Sequence, residues 1–173
     1  LIIKPIHNIS NLFLGKENIH TIQSPTNVDM DVHNLLERFS SHISFASEEE
    51  IKGKKILEKM GLPKNAKFIC LLVRDAGYLN RHEKTQNVGR WSYHNYRDGN
   101  IDKYVLAAEE LASRGYYVFR VGGTPFLSKK FNHPNPKIID YTHSSLRTDF
   151  LDIYLGAKCN FCISTCVGFD GVP

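Results

Sequence analysis

The run Phe68-Ile69-Cys70-Leu71-Leu72-Val73 decides the fold class. It is apolar at every position and too short for a buried helix, so it reads as a strand covered on both faces, as in the middle of a parallel sheet. Downstream, Tyr116 to Val121 reads as a second strand, Lys137-Ile138-Ile139-Asp140 as a short third, and Asn160 to Ser164 as a fourth. Helices fall between and before them. Asn100 is placed to cap one whose apolar face is Ile101, Tyr104, Val105, Ala108, Leu111 and Ala112, with Gly115 ending it. A helix opened by Ser145 or a neighbour carries Phe150, Leu151, Tyr154 and Leu155. Upstream, Ser47-Glu48-Glu49-Glu50 reads as a capping box opening a helix that runs to Met60 and stops at Gly61, with Pro63 beyond. Val32, Leu35, Leu36, Phe39 and Ile43 also fall at helical spacing.

Strands alternating with helices predict an α/β domain over residues 47–173, a Rossmann-like doubly wound parallel sheet, with residues 1–46 as a linker and the helical end of a preceding domain. The chain reads as a fragment with sequence missing on both sides. In the strand order 3-2-1-4, the first and fourth strands meet at the topological switch point, where ligands bind outside the carboxyl ends. Those ends carry Val73-Arg74-Asp75 and Ser164-Thr165-Cys166, so Arg74 and the two hydroxyls are expected to meet on one bound anion.

With 42% hydrophobic and 23% charged residues among 173, disorder and collagen-like structure are excluded. No apolar run approaches the roughly 20 residues that cross a bilayer. The opening Leu1-Ile2-Ile3-Lys4-Pro5 lacks the pattern of a secretory signal, so a cytoplasmic location is expected, with the inner face of the membrane as a further option. The formal charge of +4 is spread along the chain, which argues against a nucleic-acid partner and suits an anionic small molecule or peripheral contact with an anionic membrane. Four Cys without a secretory signal are expected to be reduced.

Arg74 ends an apolar strand, where a guanidinium suits bidentate capture of phosphate; the plainer reading is a surface arginine paired with Asp75. Ser164-Thr165-Cys166-Val167-Gly168 is expected to lead into a helix whose free amides seat a diphosphate, with Ser164, Thr165 and Gly168 as ligands. The same residues would serve a simple N-cap. The segment Ser92-Tyr93-His94-Asn95-Tyr96-Arg97-Asp98 gathers imidazole, amide, aromatic and charged groups. His94 is the first candidate for a catalytic base and Asp98 the second, with Tyr93, Asn95 and Arg97 as substrate contacts. The alternative is a polar loop whose Asp98 or Asn100 only caps the following helix. Arg120, the lone charge in Tyr116-Tyr117-Val118-Phe119-Arg120-Val121, either meets the ligand or lies at an edge facing solvent. Cys159, Cys162 and Cys166 form C-x₂-C-x₃-C, but a strand through 160–164 would turn alternate side chains to opposite faces and no fourth ligand stands at metal spacing. They are read as structural, with no metal.

The stretch from Gly61-Leu62-Pro63 through Phe68 to Asp75 and Tyr78-Leu79, then Tyr93-His94-Asn95-Tyr96-Arg97, then Arg147 to Leu155, resembles a family of glycosyltransferases from bacterial surface-polysaccharide gene clusters. The likeness covers roughly residues 48–173. More distantly, the strand ending in Val73-Arg74 is similar to the donor-domain motif of fucosyltransferases with two Rossmann-like domains, the GT-B architecture. The resemblance implies the C-terminal donor domain of a hexosyl- or deoxyhexosyltransferase using a nucleoside-diphosphate sugar without a bound metal, with Arg74 as its phosphate-binding arginine. Its acceptor would be a glycan or lipid-linked glycan. The sequence departs from the motif at Leu72, where His is expected, and at Cys166-Val167, where a small polar pair is expected before Gly168. These departures keep open a non-catalytic module that binds nucleotide sugar or glycan, while the same architecture also serves sugar-nucleotide epimerases.

Overall fold

The computed structural model describes residues 38–39, 41, 43–75, 77, 92–165 and 167–173, apart from the side chains of Ser92 and His94. The chain divides into two compact units, Leu1–Ser44 and Phe45–Pro173. The sheet and its covering helices lie in the second. Val32, Leu35, Leu36, Tyr78, Leu79 and Cys166 lie outside the described residues.

The second unit runs α1 (Ser47–Lys59), β1 (Phe68–Leu72), α2 (Val105–Ser113), β2 (Tyr117–Val121), β3 (Ile138–Asp140), α3 (Asp149–Lys158) and β4 (Cys162–Ser164). The four strands form one parallel sheet in the order β3-β2-β1-β4. This is the strand order expected from the alternation of elements, and it is compatible with a Rossmann-like fold. β1 sits between β2 and β4, and all five of its residues are buried. That position explains its unbroken apolar run, because neither face meets water.

The two faces of the sheet carry separate cores. Ile69, Leu71, Val73, Val118 and Ile138 pack with Ala108 and Ala112 of α2 and with Ile101. Phe68, Cys70, Leu72, Phe119 and Val121 pack with Leu151, Tyr154 and Leu155 of α3, with Ile56 and Leu57 of α1 partly buried beside them. The strict alternation along β1 and β2 therefore sorts side chains into two cores.

The starts of α1 and α3 differ from the sequence expectation. α1 begins with Ala46 as its N-cap: the Glu49 carboxylate accepts from the Ala46 N–H at 2.8 Å, and Ala46 has no acceptor to complete the box. Glu50, expected to close a box with Ser47, instead accepts from the Tyr154 hydroxyl at 3.2 Å and pairs with Lys158. α1 ends as expected, with Gly61 at φ 90°. Asn100 Oδ1 accepts from the Asp102 N–H at 3.0 Å, opening a 3-10 turn over Ile101–Tyr104 that continues as α2. α3 is capped by Thr148, whose hydroxyl accepts from the Leu151 N–H at 3.2 Å.

α1 and α3 approach closely at Gly53. Gly53 is buried, and a Cβ placed on it would stand 2.3 Å from Cζ of the Tyr154 ring. That ring has little freedom to move: its hydroxyl donates to Glu50, and it lies 5.0 Å from the Phe45 ring and 5.7 Å from the Phe150 ring. Replacing glycine by alanine inside a helix ordinarily stabilises by about 1 kcal/mol. Here the sign is expected to reverse, with Gly53→Ala losing about 1–3 kcal/mol in urea denaturation because overpacking outweighs helix propensity. A Gly53→Ala variant more stable than the wild type would contradict this packing.

Candidate functional site

The carboxyl end of β1 is held from two sides by backbone hydrogen bonds. On the β4 side, the Thr165 N–H donates to the Leu72 carbonyl at 3.2 Å, and the Arg74 N–H donates to Thr165 Oγ1 at 2.9 Å. From the loop before α2, the Gly99 N–H donates to the Arg74 carbonyl at 2.8 Å. Only glycine fits at 99, since a Cβ there would stand 2.6 Å from Val73 Cγ1.

Arg74 and Ser164 therefore come together at the switch point, with Leu72 and Ser164 in register across the β1–β4 pair. Neighbouring strands lie about 4.8 Å apart, so groups on these two ends can share one ligand. The Arg74 side chain is neither a surface group nor paired with Asp75. It is 12% exposed, and its Nε lies 3.5 Å from Asp98 Oδ1. Among the described residues, its Nη1, the Ser164 Oγ and Asp98 Oδ1 are buried without a hydrogen-bond partner. Buried polar atoms are nearly always bonded, so orphans at adjacent strand ends call for an explanation. The Thr165 hydroxyl accepts from the Arg74 amide and retains its own O–H as a donor.

Asp98 is drawn to Arg74, so its carboxylate orients the guanidinium; capping falls to Asn100. The backbone of His94 lies in a 3-10 turn over Ser92–Arg97, and its side chain lies outside what is described. Tyr93, Asn95 and Arg97 stand exposed on the same turn. The turn leads into Asp98, whose N–H donates to the Asn95 carbonyl at 3.0 Å.

Gly168 departs from expectation. β4 is followed by a four-residue 3-10 turn, Gly168–Gly171, and Asp170 Oδ2 accepts from the Val167 N–H at 2.9 Å. That amide is filled from within the turn, and a Cβ on Gly168 would meet nothing within 4 Å, so no close approach requires glycine there. A full helix with free amides, the seat proposed for a diphosphate, is not formed by the described residues.

Arg120 lies in β2, an interior strand, and is 1% exposed. The edge or solvent-facing alternative is thereby removed. Its Nη2 donates to Asp75 Oδ2 at 3.3 Å, and its Nη1 lies 3.7 Å from Asp140 Oδ1. Burial lowers its pKa, while Asp140 and Asp75 raise it. Asp140 Oδ2 also contacts His143 Nδ1 at 2.7 Å and accepts from the Phe131 N–H at 2.8 Å. Beside Arg120 opens a cleft of about 280 Å³ lined by Val73, Asp75, Gly99, Asn100, Ile101, Arg120 and Lys129. Asp75, Gly99 and Asp140 are site residues that the sequence reading did not single out. The signal for Asp75 was present, since it directly follows Arg74 at the same strand end.

The cysteines are placed differently from the reasoning that separated them. Cys159 caps the end of α3, β4 begins only at Cys162, and both pack against the core that contains Cys70. Cys70 and Cys162 are register partners. Among the described residues, no group of three or more His, Cys, Asp or Glu is arranged to hold a metal ion. The Cys70 thiol, which donates to the Leu155 carbonyl, is pushed up by the neighbouring Cys159 and by burial; the proximity of Cys70 holds Cys159 low, at about 7; burial raises Cys162 to about 11.

Comparison with family models, characterised proteins and solved structures yields no match to this chain. Among the described residues, no helix is long and apolar enough to cross a membrane.

The Thr165 hydroxyl is expected to be structural. Thr165→Val strands the part-buried Arg74 N–H, so it should lower stability by about 1–3 kcal/mol in denaturant titration, while Thr165→Ser retains most of it. Equal stability of all three would show that the Arg74 amide has another partner.

Proposed function

We propose that this domain seats the diphosphate of a nucleotide sugar at the joined ends of β1 and β4 and serves as the donor half of a GT-B-type glycosyltransferase. The observation that carries the reading is the pair of unsatisfied buried groups, Arg74 Nη1 and Ser164 Oγ, at the switch point of a parallel sheet. A guanidinium whose Nε is ion-paired with Asp98 keeps Nη1 available for a phosphate oxygen.

In the proposed reaction an acceptor hydroxyl attacks the anomeric carbon of the donor sugar. The bond to the diphosphate breaks, and negative charge grows on the departing oxygens. Arg74 lowers the barrier because its charge is already in place when that oxygen charge develops. His94 is the candidate base that takes the acceptor proton. Asp98, the second candidate, acts instead by holding Arg74. The acceptor would be a surface-carbohydrate precursor, a glycan or lipid-linked glycan. Such an acceptor would bring the protein to the inner face of the membrane, where a net charge of +4 favours anionic lipid.

Arg74→Ala is expected to cut transfer by about 10²–10³-fold, corresponding to about 2–4 kcal/mol of lost transition-state stabilisation, and to weaken nucleoside-diphosphate binding. Arg74→Lys should recover part of the loss, since an ammonium supplies charge without the planar fork. His94→Ala should slow transfer with nucleotide affinity nearly unchanged. Turnover assayed as new glycosidic product, alongside nucleotide affinity by calorimetry, checks all three variants. If Arg74→Ala binds nucleoside diphosphate as tightly as wild type, the seat is wrongly placed. An isomerised sugar nucleotide, or binding without turnover, would indicate an epimerase or a binding module instead.

A further inference from the structure

We propose that the cleft between the carboxyl ends of β1 and β2 is a subsite for one neutral hexose ring, which bridges Asp75 and Arg120 through adjacent hydroxyls. The inference rests on the diphosphate seat proposed at Arg74, because it places a sugar beside that seat.

Arg120 is a charged side chain 1% exposed, yet among the described residues it makes a single hydrogen bond, from Nη2 to Asp75. Among the described residues its Nε and Nη1 have no hydrogen-bond partner, and Asp140 Oδ1, at 3.7 Å from Nη1, is also without one. A guanidinium offers five N–H donors, so this group is far from satisfied. It lines a cleft of about 280 Å³. That volume falls just below the range of about 300–1,000 Å³ typical of sites for drug-sized ligands, which leaves room for one ring but not for a whole nucleotide.

The charges at the cleft select the ligand. Among the lining residues Asp75 is paired with Arg120, and Lys129 on the rim is paired with Asp102, while Asp140 lies beside Arg120 outside the lining and contacts His143. With each charge already paired, an anion would face the Asp75 carboxylate and a cation would face the Arg120 guanidinium. A hydroxyl escapes both penalties because it accepts from a guanidinium N–H and donates to a carboxylate at once. Two adjacent hydroxyls match a carboxylate and a guanidinium lying side by side. Asp75 is suited to this role: the Gly77 N–H fixes its Oδ1 at 2.9 Å while Arg120 fixes its Oδ2, so the carboxylate is oriented before a ligand arrives. Val73 and Ile101 supply apolar wall for the C–H face of a ring.

The test is a titration of the intact chain with methyl hexosides of the gluco, galacto and manno series, followed by ¹H–¹⁵N spectra that include the Arg120 Nε–H. At least one hexoside is expected to shift the Arg120 Nε–H together with the Gly99 and Asn100 amides. Removing one of its adjacent ring hydroxyls should weaken binding by about tenfold or more, and Asp75→Asn should do the same. If Asp75→Asn does not fold, the deoxy series on the wild type decides the matter alone. Shifts that survive every deoxygenation, or shifts caused by inorganic phosphate and by no hexoside, would overturn the proposal.

A saturating nucleoside-diphosphate hexose, tried in uridine and guanosine forms, displaces the hexoside if the cleft holds the donor's own ring. It leaves the hexoside bound if the cleft holds the acceptor's ring. Either result keeps the subsite. Nucleoside-diphosphate binding without any hexoside shift would sink the subsite and leave the diphosphate seat standing. Hexoside shifts without diphosphate binding would do the reverse.

Discussion

The structure depends on the burial of β1. A strand with water on neither face must satisfy its backbone through its neighbours, and β1 does so with β2 on one side and β4 on the other. Its exit is handled in the same way. The Leu72 carbonyl takes the Thr165 N–H, the Arg74 N–H takes the Thr165 hydroxyl, and the Arg74 carbonyl takes the Gly99 N–H. The backbone between Leu72 and Arg74 is therefore fixed before any ligand is considered, and two charged side chains leave it from a rigid base.

Those side chains, Arg74 and Asp75, enter different networks. Arg74 meets Asp98 near the β4 end, and Asp75 meets Arg120 near the β2 end. Each arginine is thus held by a carboxylate from another element, and each keeps buried donors unused. A purely structural ion pair in a low-dielectric setting is stabilising only when its remaining hydrogen-bonding groups are also satisfied. Leaving them open at two neighbouring points on the carboxyl side of a parallel sheet is consistent with binding rather than support. The buried core below provides the stability, as on α/β scaffolds generally, where function lies in the site grafted onto the sheet.

Much of this was legible from residue pattern. The apolar run of β1, the alternation in β2 and the strand order follow from hydrophobic period and from the rule that places ligands at the switch point. The face of Arg120 was also readable, since it sits two residues from Val118 on a strand. Its depth was not, because that depends on carboxylates from the ends of β1 and β3 arriving beside it. The Arg74–Asp98 pair was hidden for the same reason: the two residues are distant in sequence and meet only through the loop that Gly99 pins. Caps shifted because they are settled locally, Ala46 replacing Ser47 once Glu49 reached back and Thr148 taking the place of Ser145. The turn at Gly168 was misjudged because Asp170 folds back onto the Val167 amide that a helix would have left free.

The central claim is that the ends of β1 and β4 hold a diphosphate, and the most direct measurement is a crystal structure of the intact chain soaked with uridine or guanosine diphosphate. The account predicts phosphate oxygens within hydrogen-bond distance of Arg74 Nη1 and Ser164 Oγ, with the Arg74–Asp98 pair preserved. Ordered nucleotide bound elsewhere, with Arg74 Nη1 and Ser164 Oγ untouched, would contradict it.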